Sequence, residues 1–492
     1  MRRSLFVLLA LLAWPGSAVA APVLFRAGNG AVSTRNDPYV TGPALTPAPA
    51  ATGHKSTGRS SAGQFTAALA RTHATRKKPR TVFGELTRIY HQHGISAAAY
   101  HGYELSYGRA LTTERHLHGT RRAELTAVTA NVHDMAVAGA LTPSRLPVIF
   151  QTVDRNRQWW TTGPLLANAQ RVEFAGSQLV WQYYAGQGIQ LQVLGSFGKA
   201  DGLYTSGLRG YPALKQLLAQ LIPLAAQRGG GLTWEYYFHF DGGAPPWTSA
   251  MSQATGLEAL SRAYRATGNA YYLQVGQRAL PVFSARPPAG VSVATPRGTR
   301  FLQYTFTPGT SIINAFLQTL IGLHDYAVIS KSAQAAKLFK AGNAEAQAEV
   351  PHFDTGAWSL YQPGIEDDLS YHELVTGFLA QMCTITRTPV YCSTAQRFRA
   401  YLKTPPVLTQ LTRRGKVRRS TALRFSLSKF SHIGVVLTRG TTAVYSTSAY
   451  LPYGTDQIKL PAEKAGRYGL RIAATDLAGN FARLTGTLTI SR

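Results

Sequence analysis

Two tyrosines, Tyr361 and Tyr371, and two histidines lie within residues 351–372, between segments whose apolar spacing is helical. Phenol and imidazole groups can both take up and release protons, so this stretch could carry acid and base catalysis. Loops held by a rigid helical scaffold often carry such sites, because the loop reaches the ligand while the scaffold stays fixed. Considered alone, the stretch could equally be an ordinary turn between two helices.

Several common catalytic signatures are missing from the sequence. It has no Gly-x-Ser-x-Gly nucleophile elbow, no His-Glu-x-x-His zinc motif, no phosphate loop and no dinucleotide fingerprint. The histidine pairs His91/His93 and His116/His118 have only Glu114 as a nearby carboxylate and no cysteine partner. We therefore assign them to helix surfaces and predict no metal site.

The chain around these residues predicts a helical scaffold. Apolar residues recur at intervals of three and four in residues 82–160, and 211–227 are also predicted to be helical. Between them, residues 171–174, 178–184 and 189–194 alternate with period two and predict short antiparallel strands. Three helix pairs follow, opening at Gln253, Asn314 and His372, which are 61 and 58 residues apart. Helical hairpins at a regular period stack on one another, so residues 81–405 predict an (α/α) toroid with a cleft at its inner rim.

A second, smaller domain is predicted at the C-terminus. Pro405 and Pro406 cannot continue a helix, and residues 406–492 contain short alternating strands typical of an immunoglobulin-like β-sandwich. Residues 411–492 hold 14 Lys and Arg against three acidic residues, a net charge of about +11, and we predict an anchoring or presenting role for this domain. The predicted fold class is therefore multidomain and mainly α: the toroid with its short antiparallel β segment, followed by a small β-sandwich.

The N-terminus predicts export. Residues 1–20 combine two arginines, an apolar run and the small-residue triplet that ends at Ala20, which indicates a signal peptide cleaved near that residue. Residues 21–80 are rich in Ala, Pro, Ser and Thr and predict a flexible, disordered leader. No later run is long and apolar enough to cross a bilayer. We expect a secreted or envelope-associated protein without a transmembrane segment.

The charge of the chain predicts an acidic partner. Its 51 Lys and Arg against 23 Asp and Glu give a formal charge of +28. Acidic polysaccharides and anionic cell-surface polymers are the candidates, and export makes nucleic acid an unlikely partner. A basic, solvated surface without a dedicated partner is the alternative, and the oligomeric state is left open.

The two cysteines, Cys383 and Cys392, flank what looks like the turn of a helical hairpin. Export makes a structural disulfide between them plausible, and two thiols alone cannot form a strong zinc site.

Four segments, taken in order, resemble a known family. Pro246–Tyr264, Tyr304–Asp325, Asp354–Tyr361 and the pair Tyr371-His372 are similar to the C-terminal catalytic domain of the D-glucuronyl C5-epimerases, which convert glucuronate into iduronate within heparan-type chains. The resemblance extends over residues 174–402. It implies an (α/α) toroid, no cofactor, an acidic polysaccharide that contains uronate, and Tyr304, Tyr361 and Tyr371 as catalytic residues.

The chemistry of such a reaction explains the use of tyrosines. Epimerisation removes the C5 proton beside the carboxylate and returns one from the opposite face, so two acid or base groups must flank the ring. A tyrosine with an ordinary pKa of about 10 becomes a useful base where positive charge favours the phenolate. The negative charge that builds up on the carboxylate also needs a cation, for which Arg262, Arg297 and Arg300 are candidates. The predicted substrate-binding residues are Gln303, His372, Trp247, Asn314 and Arg300.

Two departures from the family pattern stand out. Gln303 occupies the position where the family has a glutamate before the first tyrosine. Gly364 occupies the position of a family arginine, in a shortened loop that carries Glu366, Asp367 and Asp368. These acids would repel an acidic substrate unless they point away from it. A polysaccharide lyase of the same toroid type and a non-catalytic acidic-glycan-binding protein are therefore kept as alternatives.

Overall fold

The computed structural model describes residues 22–39 and 80–492. The predicted signal peptide and its cleavage near Ala20 lie outside the described residues, as does most of the predicted leader. Within the described part, no helix is both long and apolar enough to span a bilayer. Residues 82–401 are mainly helical, and residues 408–491 are rich in β-structure.

The helices have the following bounds: α1 Val82–His91, α2 Ala97–His116, α3 Gly119–Val137, α4 Leu146–Thr162, α5 Val193–Thr205, α6 Tyr211–Leu221, α7 Ala250–Thr267, α8 Tyr271–Ala279, α9 Ile313–Ser330, α10 Ala333–Glu349, α11 Leu369–Thr386 and α12 Pro389–Tyr401. The strands are β1 Pro22–Arg26, β2 Val32–Asn36, β3 Arg171–Phe174, β4 Trp181–Tyr184, β5 Gly188–Leu191, β6 Ala226–Arg228, β7 Gly231–Thr233, β8 Ser292–Ala294, β9 Thr299–Phe301, β10 Leu360–Gln362, β11 Ile365–Glu366, β12 Leu408–Gln410, β13 Arg414–Lys416, β14 Thr421–Leu427, β15 Ser431–Arg439, β16 Thr442–Leu451, β17 Gly454–Leu460, β18 Gly466–Asp476 and β19 Phe481–Ser491.

The three predicted helix pairs are present as α7/α8, α9/α10 and α11/α12. Their first helices pack in succession, α7 on α9 and α9 on α11, and α5 packs on the other side of α7. Gly322 of α9 allows this helix to pack closely against α7. A Cβ atom added at Gly322 would lie 2.2 Å from the carbonyl oxygen of Ala254 in α7. A disulfide joins Cys383 of α11 to Cys392 of α12.

The N-terminal β-hairpin corrects the predicted leader. Strand β1 pairs antiparallel with β2 and parallel with β3, where Val23 lies opposite Arg171. The prediction of disorder is therefore wrong for residues 22–36. Val23 is buried, and the free edge of β3 supplies backbone partners that composition alone cannot reveal.

The C-terminal β-rich region forms two sheets, with strand orders β12-β14-β17 and β13-β19-β18-β15-β16. The inward residues of β14, such as Leu423 and Phe425, alternate with outward polar residues. They join Ile433, Val435 and Ile472 in a hydrophobic core separate from that of the helical part. The strand prediction for this region is confirmed.

Candidate active site

The three predicted tyrosines lie together. Tyr304 follows β9, Tyr361 lies in β10 and Tyr371 lies in the first turn of α11. The rings of Tyr361 and Tyr371 meet edge to face, with their centroids 5.1 Å apart, and the hydroxyl of Tyr304 hydrogen-bonds that of Tyr361. All three side chains are largely enclosed, with exposures of 5%, 6% and 8% for Tyr304, Tyr361 and Tyr371.

Aromatic packing fixes Tyr304. Its ring stacks on Phe306 with centroids 5.3 Å apart, and Trp247 contacts it edge-on at 5.7 Å. Trp247 is fully buried, stacks on Tyr236 and donates its indole N–H to the carbonyl of Phe238. In this structure Trp247 supports the ring of Tyr304, and its predicted contact with substrate stays a prediction.

The start of α11 positions Tyr371. Asp368 is the N-cap of the helix, and its carboxylate accepts a hydrogen bond of 2.9 Å from the backbone N–H of Tyr371. The helix N-terminus also carries a partial positive charge, which favours anions nearby. Asp368, the third acidic residue of the shortened loop, therefore has a structural function.

The hydrogen bond between two of the tyrosines makes them unequal as acids. Burial raises the pKa of both Tyr304 and Tyr361 above the ordinary value of a phenol. The hydrogen bond donated by Tyr304 offsets part of this for Tyr361, whose pKa is raised to about 12, while that of Tyr304 is raised further. Tyr361 is therefore the easier of the two to ionise.

Two predicted polar contacts lie close to the tyrosines. Gln303 is buried, accepts a hydrogen bond of 2.9 Å from the hydroxyl of Ser249 and hydrogen-bonds Tyr304. Asn314 lies in the first turn of α9, against which β10 packs. Its buried Oδ1 has no hydrogen-bond partner among the described residues, as expected of an acceptor reserved for a ligand. Both remain predicted substrate contacts.

Two of the predicted arginines are engaged elsewhere. Arg300 pairs with Glu349 and with Glu345, the latter at 3.7 Å, and its predicted contact with substrate stays a prediction. Arg262, near the C-terminal end of α7, pairs with Glu258 and with two further carboxylates, those of Asp201 at 3.1 Å and Asp325 at 3.6 Å. The tyrosines adjoin the opposite end of α7, where the N–H of Ala250 bonds Leu302. Arg297 lies on the exposed turn between β8 and β9.

Sequence reasoning missed Arg171 and Tyr184. Tyr184 in β4 packs against Phe238 with the rings tilted and their centroids 4.6 Å apart, and it accepts a hydrogen bond from Gln192. It is close enough to Tyr371 for the two phenols to interact electrostatically, and the charge of Arg171 in β3 acts on it in turn. One signal could have found them. Although β3 to β5 are buried on both faces, polar residues occupy alternate positions on one face: Arg171, Gln182, Tyr184 and Gln190.

His372 belongs to a buried network. Its ring stacks on Trp358 at 3.8 Å, its Nδ1 lies 2.7 Å from Ser359 Oγ, and its Nε2 lies 2.9 Å from the carbonyl of Phe398. Burial lowers the pKa of His372 to about 4, so the ring is neutral at pH 7. His372 therefore lends no charge to Tyr371, and its predicted contact with substrate stays a prediction.

The Ser359, His372 and Asp367 side chains have the composition of a hydrolytic triad but the wrong order. Ser359 lies between the other two, because its Oγ lies 2.5 Å from Asp367 Oδ2 and 2.7 Å from His372 Nδ1. All three side chains are buried, so the hydroxyl cannot attack a substrate. The network instead ties β10 to α11, the two elements that carry Tyr361 and Tyr371.

Asp367 predicts a specific pH dependence of stability. Burial raises its pKa to about 7, so the folded protein keeps a proton that the unfolded chain releases near the ordinary value of 3.8. This contribution to stability is complete below the unfolded pKa and is lost as pH rises through 7. Between about pH 4 and 7, Asp367 lowers the unfolding free energy of the wild-type protein by about 1.4 kcal/mol per pH unit. We expect this pH dependence to be absent in Asp367→Asn.

Urea unfolding of the wild-type protein and Asp367→Asn at pH 5 and pH 7 measures this difference. The matched control is Asp154→Asn, because Asp154 is a half-exposed carboxylate on α4. Equal slopes against pH in the wild-type protein and Asp367→Asn would contradict the prediction.

The described residues contain no group of three or more His, Cys, Asp or Glu side chains arranged to hold a metal ion. Tyr184 and Arg171 lie on the border of the tyrosine cluster.

Comparison with known proteins defines the class. Residues 229–400 match the family model described as the D-glucuronyl C5-epimerase C-terminus. The chain is also 28% identical over 178 residues to D-glucuronyl C5-epimerase of Caenorhabditis elegans, which covers 32% of this chain and 29% of that protein. The resemblance to the D-glucuronyl C5-epimerases found in the sequence is thus confirmed, with the family-model match over residues 229–400.

A second curated relative is an uncharacterised protein of Methanocaldococcus jannaschii, 26% identical over 137 residues, which covers 26% of this chain and 44% of that protein. The chain thus spans less than half the length of either relative. Among solved structures, it is similar to cellobiose 2-epimerase from Bacillus thermoamylovorans, with a TM-score of 0.35 and 10% identity over 54% of this chain and 73% of that chain. It is also similar to a GH76 α-mannanase from Bacteroides thetaiotaomicron, with a TM-score of 0.33 and 13% identity over 46% and 65% of the two chains. Such low scores carry no argument about activity.

Proposed function

We propose that the protein is a secreted uronate C5-epimerase that acts on an acidic polysaccharide, in the sense of glucuronate to iduronate conversion. The convergence of Tyr304, Tyr361 and Tyr371 within the region that matches the family model carries this proposal. The proposal includes an (α/α) toroid formed by the helix pairs, and a β-sandwich of immunoglobulin type at the C-terminus.

Tyr361 is the base in this proposal. Tyr361 first releases its phenolic proton to solvent, against a pKa that burial raises to about 12. Its phenolate then takes the C5 proton, and the electron pair left behind moves into the carboxylate to form an enolate-like intermediate. Tyr304 stabilises the phenolate through the hydrogen bond that it donates. Tyr371 then donates its phenolic proton to C5 from the opposite face, which inverts the centre. Proton exchange with solvent returns Tyr361 and Tyr371 to their starting states.

Arg171 supplies the positive charge that the substrate carboxylate requires. The family arginine after the second tyrosine is replaced here by Gly364. Arg262 and Arg300 pair with carboxylates away from the tyrosines, and Arg171 also interacts with a carboxylate, that of Asp37. Arg171 lies on the polar face of the β3–β5 sheet, and its charge acts on Tyr184 beside Tyr371. A cation there lowers the free energy of the intermediate, in which negative charge builds up on the carboxylate.

The acidic loop is compatible with an anionic substrate because its charges are already in use. Glu366 accepts hydrogen bonds from the backbone of residues in the C-terminal region, Asp367 is bound by Ser359, and Asp368 caps α11. The burial of Asp367, with its raised pKa, also reduces the negative charge beside the tyrosines.

Deuterium exchange tests the proposed function. Purified protein is incubated with polymers that contain glucuronate or iduronate in deuterated water, and NMR or mass spectrometry measures deuterium at C5. Incorporation at C5 without chain shortening is the expected result. Unsaturated uronate, detected by ultraviolet absorbance together with shorter chains, would instead identify a lyase. Tight polymer binding without exchange would identify a glycan-binding protein.

A further inference from the structure

The C-terminal β-rich region contacts the helical part through one end of its fold. Two of its connecting segments, at Phe430 between β14 and β15 and at Tyr453 between β16 and β17, meet the loop that carries the acidic residues. The backbone N–H of Phe430 donates to both carboxylate oxygens of Glu366, at 3.0 and 3.1 Å. The backbone N–H of Tyr453 donates to Glu366 Oε2 at 2.9 Å. One carboxylate of the β10–β11 hairpin is thus held by two separate segments of the C-terminal region.

A buried lysine makes a second attachment at the same end. Lys429, adjacent to Phe430, is 1% exposed and donates to the carbonyls of Tyr401, at 2.8 Å, and Thr404. It also pairs with Asp476 at 2.8 Å. Lysine at a helix C-terminus compensates carbonyls that lack partners within the helix, so it joins the end of α12 firmly to the β-rich region. Asn480 adds a hydrogen bond of 3.0 Å to the carbonyl of Leu402.

These contacts are unlike those expected of a loosely tethered anchor domain. A buried ammonium group is stable only where its partners are fixed, because loss of one partner leaves an uncompensated buried charge. The end of α12 and the β10–β11 hairpin are therefore held in a constant position relative to the β-rich region. Tyr453 also packs against the hydrophobic core of the helical part.

Glu366 lies in the strand that pairs with β10, the strand of the predicted catalytic residue Tyr361. It pairs across the hairpin with Leu360, the neighbour of Tyr361, and it directly precedes Asp367 and Asp368. The hairpin has strands of only three and two residues, and an isolated two-stranded hairpin is at best marginally stable in water. The position of Tyr361 thus depends on outside support, and Glu366 receives that support from the C-terminal region.

We propose that the C-terminal β-rich region is a positioning element of the candidate active site, and that Glu366 is the positioning residue through which it holds Tyr361. This inference extends the proposed function, and its catalytic part rests on that function. Glu366 contacts neither the tyrosine hydroxyls nor substrate in this role. It acts by keeping β10 in place while Tyr361 transfers a proton.

The test uses the full-length protein with Glu366→Ala, Glu366→Gln and the control Glu463→Ala. Glu463 lies in the same β-rich region, on the connection between β17 and β18 beside Tyr468. Backbone hydrogen exchange measured by mass spectrometry reports on residues 358–371 whether or not the protein is active. Steady-state C5 exchange then separates kcat from KM.

For Glu366→Ala we expect backbone exchange of residues 358–371 to accelerate about tenfold or more, while α9 keeps its protection. We also expect kcat to fall about tenfold, with KM within about twofold of the wild-type value, because misplaced catalytic groups affect the chemical step. Glu366→Gln keeps one acceptor oxygen and should lie between Glu366→Ala and the wild-type protein. Glu463→Ala should match the wild-type protein in both measurements.

Unchanged protection of residues 358–371 in Glu366→Ala would overturn the inference even if the protein is an epimerase. If Glu366→Ala loses protection throughout the chain, Glu366→Gln decides, and unchanged hairpin protection in that variant overturns the inference. If the wild-type protein exchanges no C5 proton, the proposed function fails. A selective loss of hairpin protection would then still support the structural part of the inference.

Discussion

Replacement of Tyr361 by phenylalanine is expected to lower kcat for C5 exchange by about 10²- to 10⁴-fold, the usual contribution of a general acid or base. Tyr361→Phe removes the phenol that is easier to ionise than Tyr304 and takes away the acceptor of the hydrogen bond from Tyr304. The ring and its contact with Tyr371 are retained, so the site should keep its shape. Deuterium incorporation at C5, followed under saturating polymer, measures the loss.

The matched control for this prediction is Tyr326→Phe. Tyr326 is also buried and hydrogen-bonded, through its hydroxyl to the carbonyl of Leu273, but it lies in the core between α9 and α8. We expect Tyr326→Phe to change stability and leave kcat nearly unchanged. Retention of most of kcat by Tyr361→Phe would reject Tyr361 as the base and transfer that role to Tyr304 or Tyr371.

Replacement of Arg171 by glutamine is expected to lower kcat/KM by about 10²-fold. The expected loss corresponds to about 2–3 kcal/mol, the range for a hydrogen bond to a charged group. The substrate carboxylate would lose its cation when its negative charge increases in the intermediate, so kcat should fall as well as affinity. Activity measured over a range of polymer concentrations separates the two effects.

Arg155→Gln is the matched control for Arg171→Gln. The Arg155 guanidinium lies 4.6 Å from the ring centroid of Phe174, which faces the opposite side of the same sheet from Arg171. The same change of charge is thus made on both faces, and only the face near Tyr184 should affect catalysis. A value of kcat/KM within about threefold of wild type for Arg171→Gln would contradict its proposed role. Urea unfolding of both variants separates catalysis from stability, because Arg171 also interacts with Asp37.

Much of the helical part could be predicted because its signals are local. The apolar spacing of α7, α9 and α11 and their regular repeat predicted the three helix pairs, and the order of the motifs predicted the family. The β-rich region was predicted in the same way, from alternation and turns. The β1–β2 hairpin was missed because its stability comes from pairing with β3, about 150 residues further along the chain.

Three of the predicted substrate contacts are engaged within the fold. Trp247, His372 and Arg300 have side chains suited to bind a sugar or a carboxylate, and each already has partners there. Residue type describes what a side chain can do, and only the tertiary structure shows which partners it has. Arg171 and Tyr184 were not predicted, because the short strands that carry them contain no catalytic motif.

The sequence by itself determined most element types and the repeat of helix pairs, because periodicity is a property of neighbouring residues. Its resemblance to a known family implied the set of three tyrosines. Only the tertiary structure decided that Tyr304, Tyr361 and Tyr371 meet, and that the acids of the shortened loop are bound by protein groups. These outcomes depend on contacts between segments far apart in the chain. Glu366 illustrates the difference, since its two partners lie 64 and 87 residues away and decide which way its charge points.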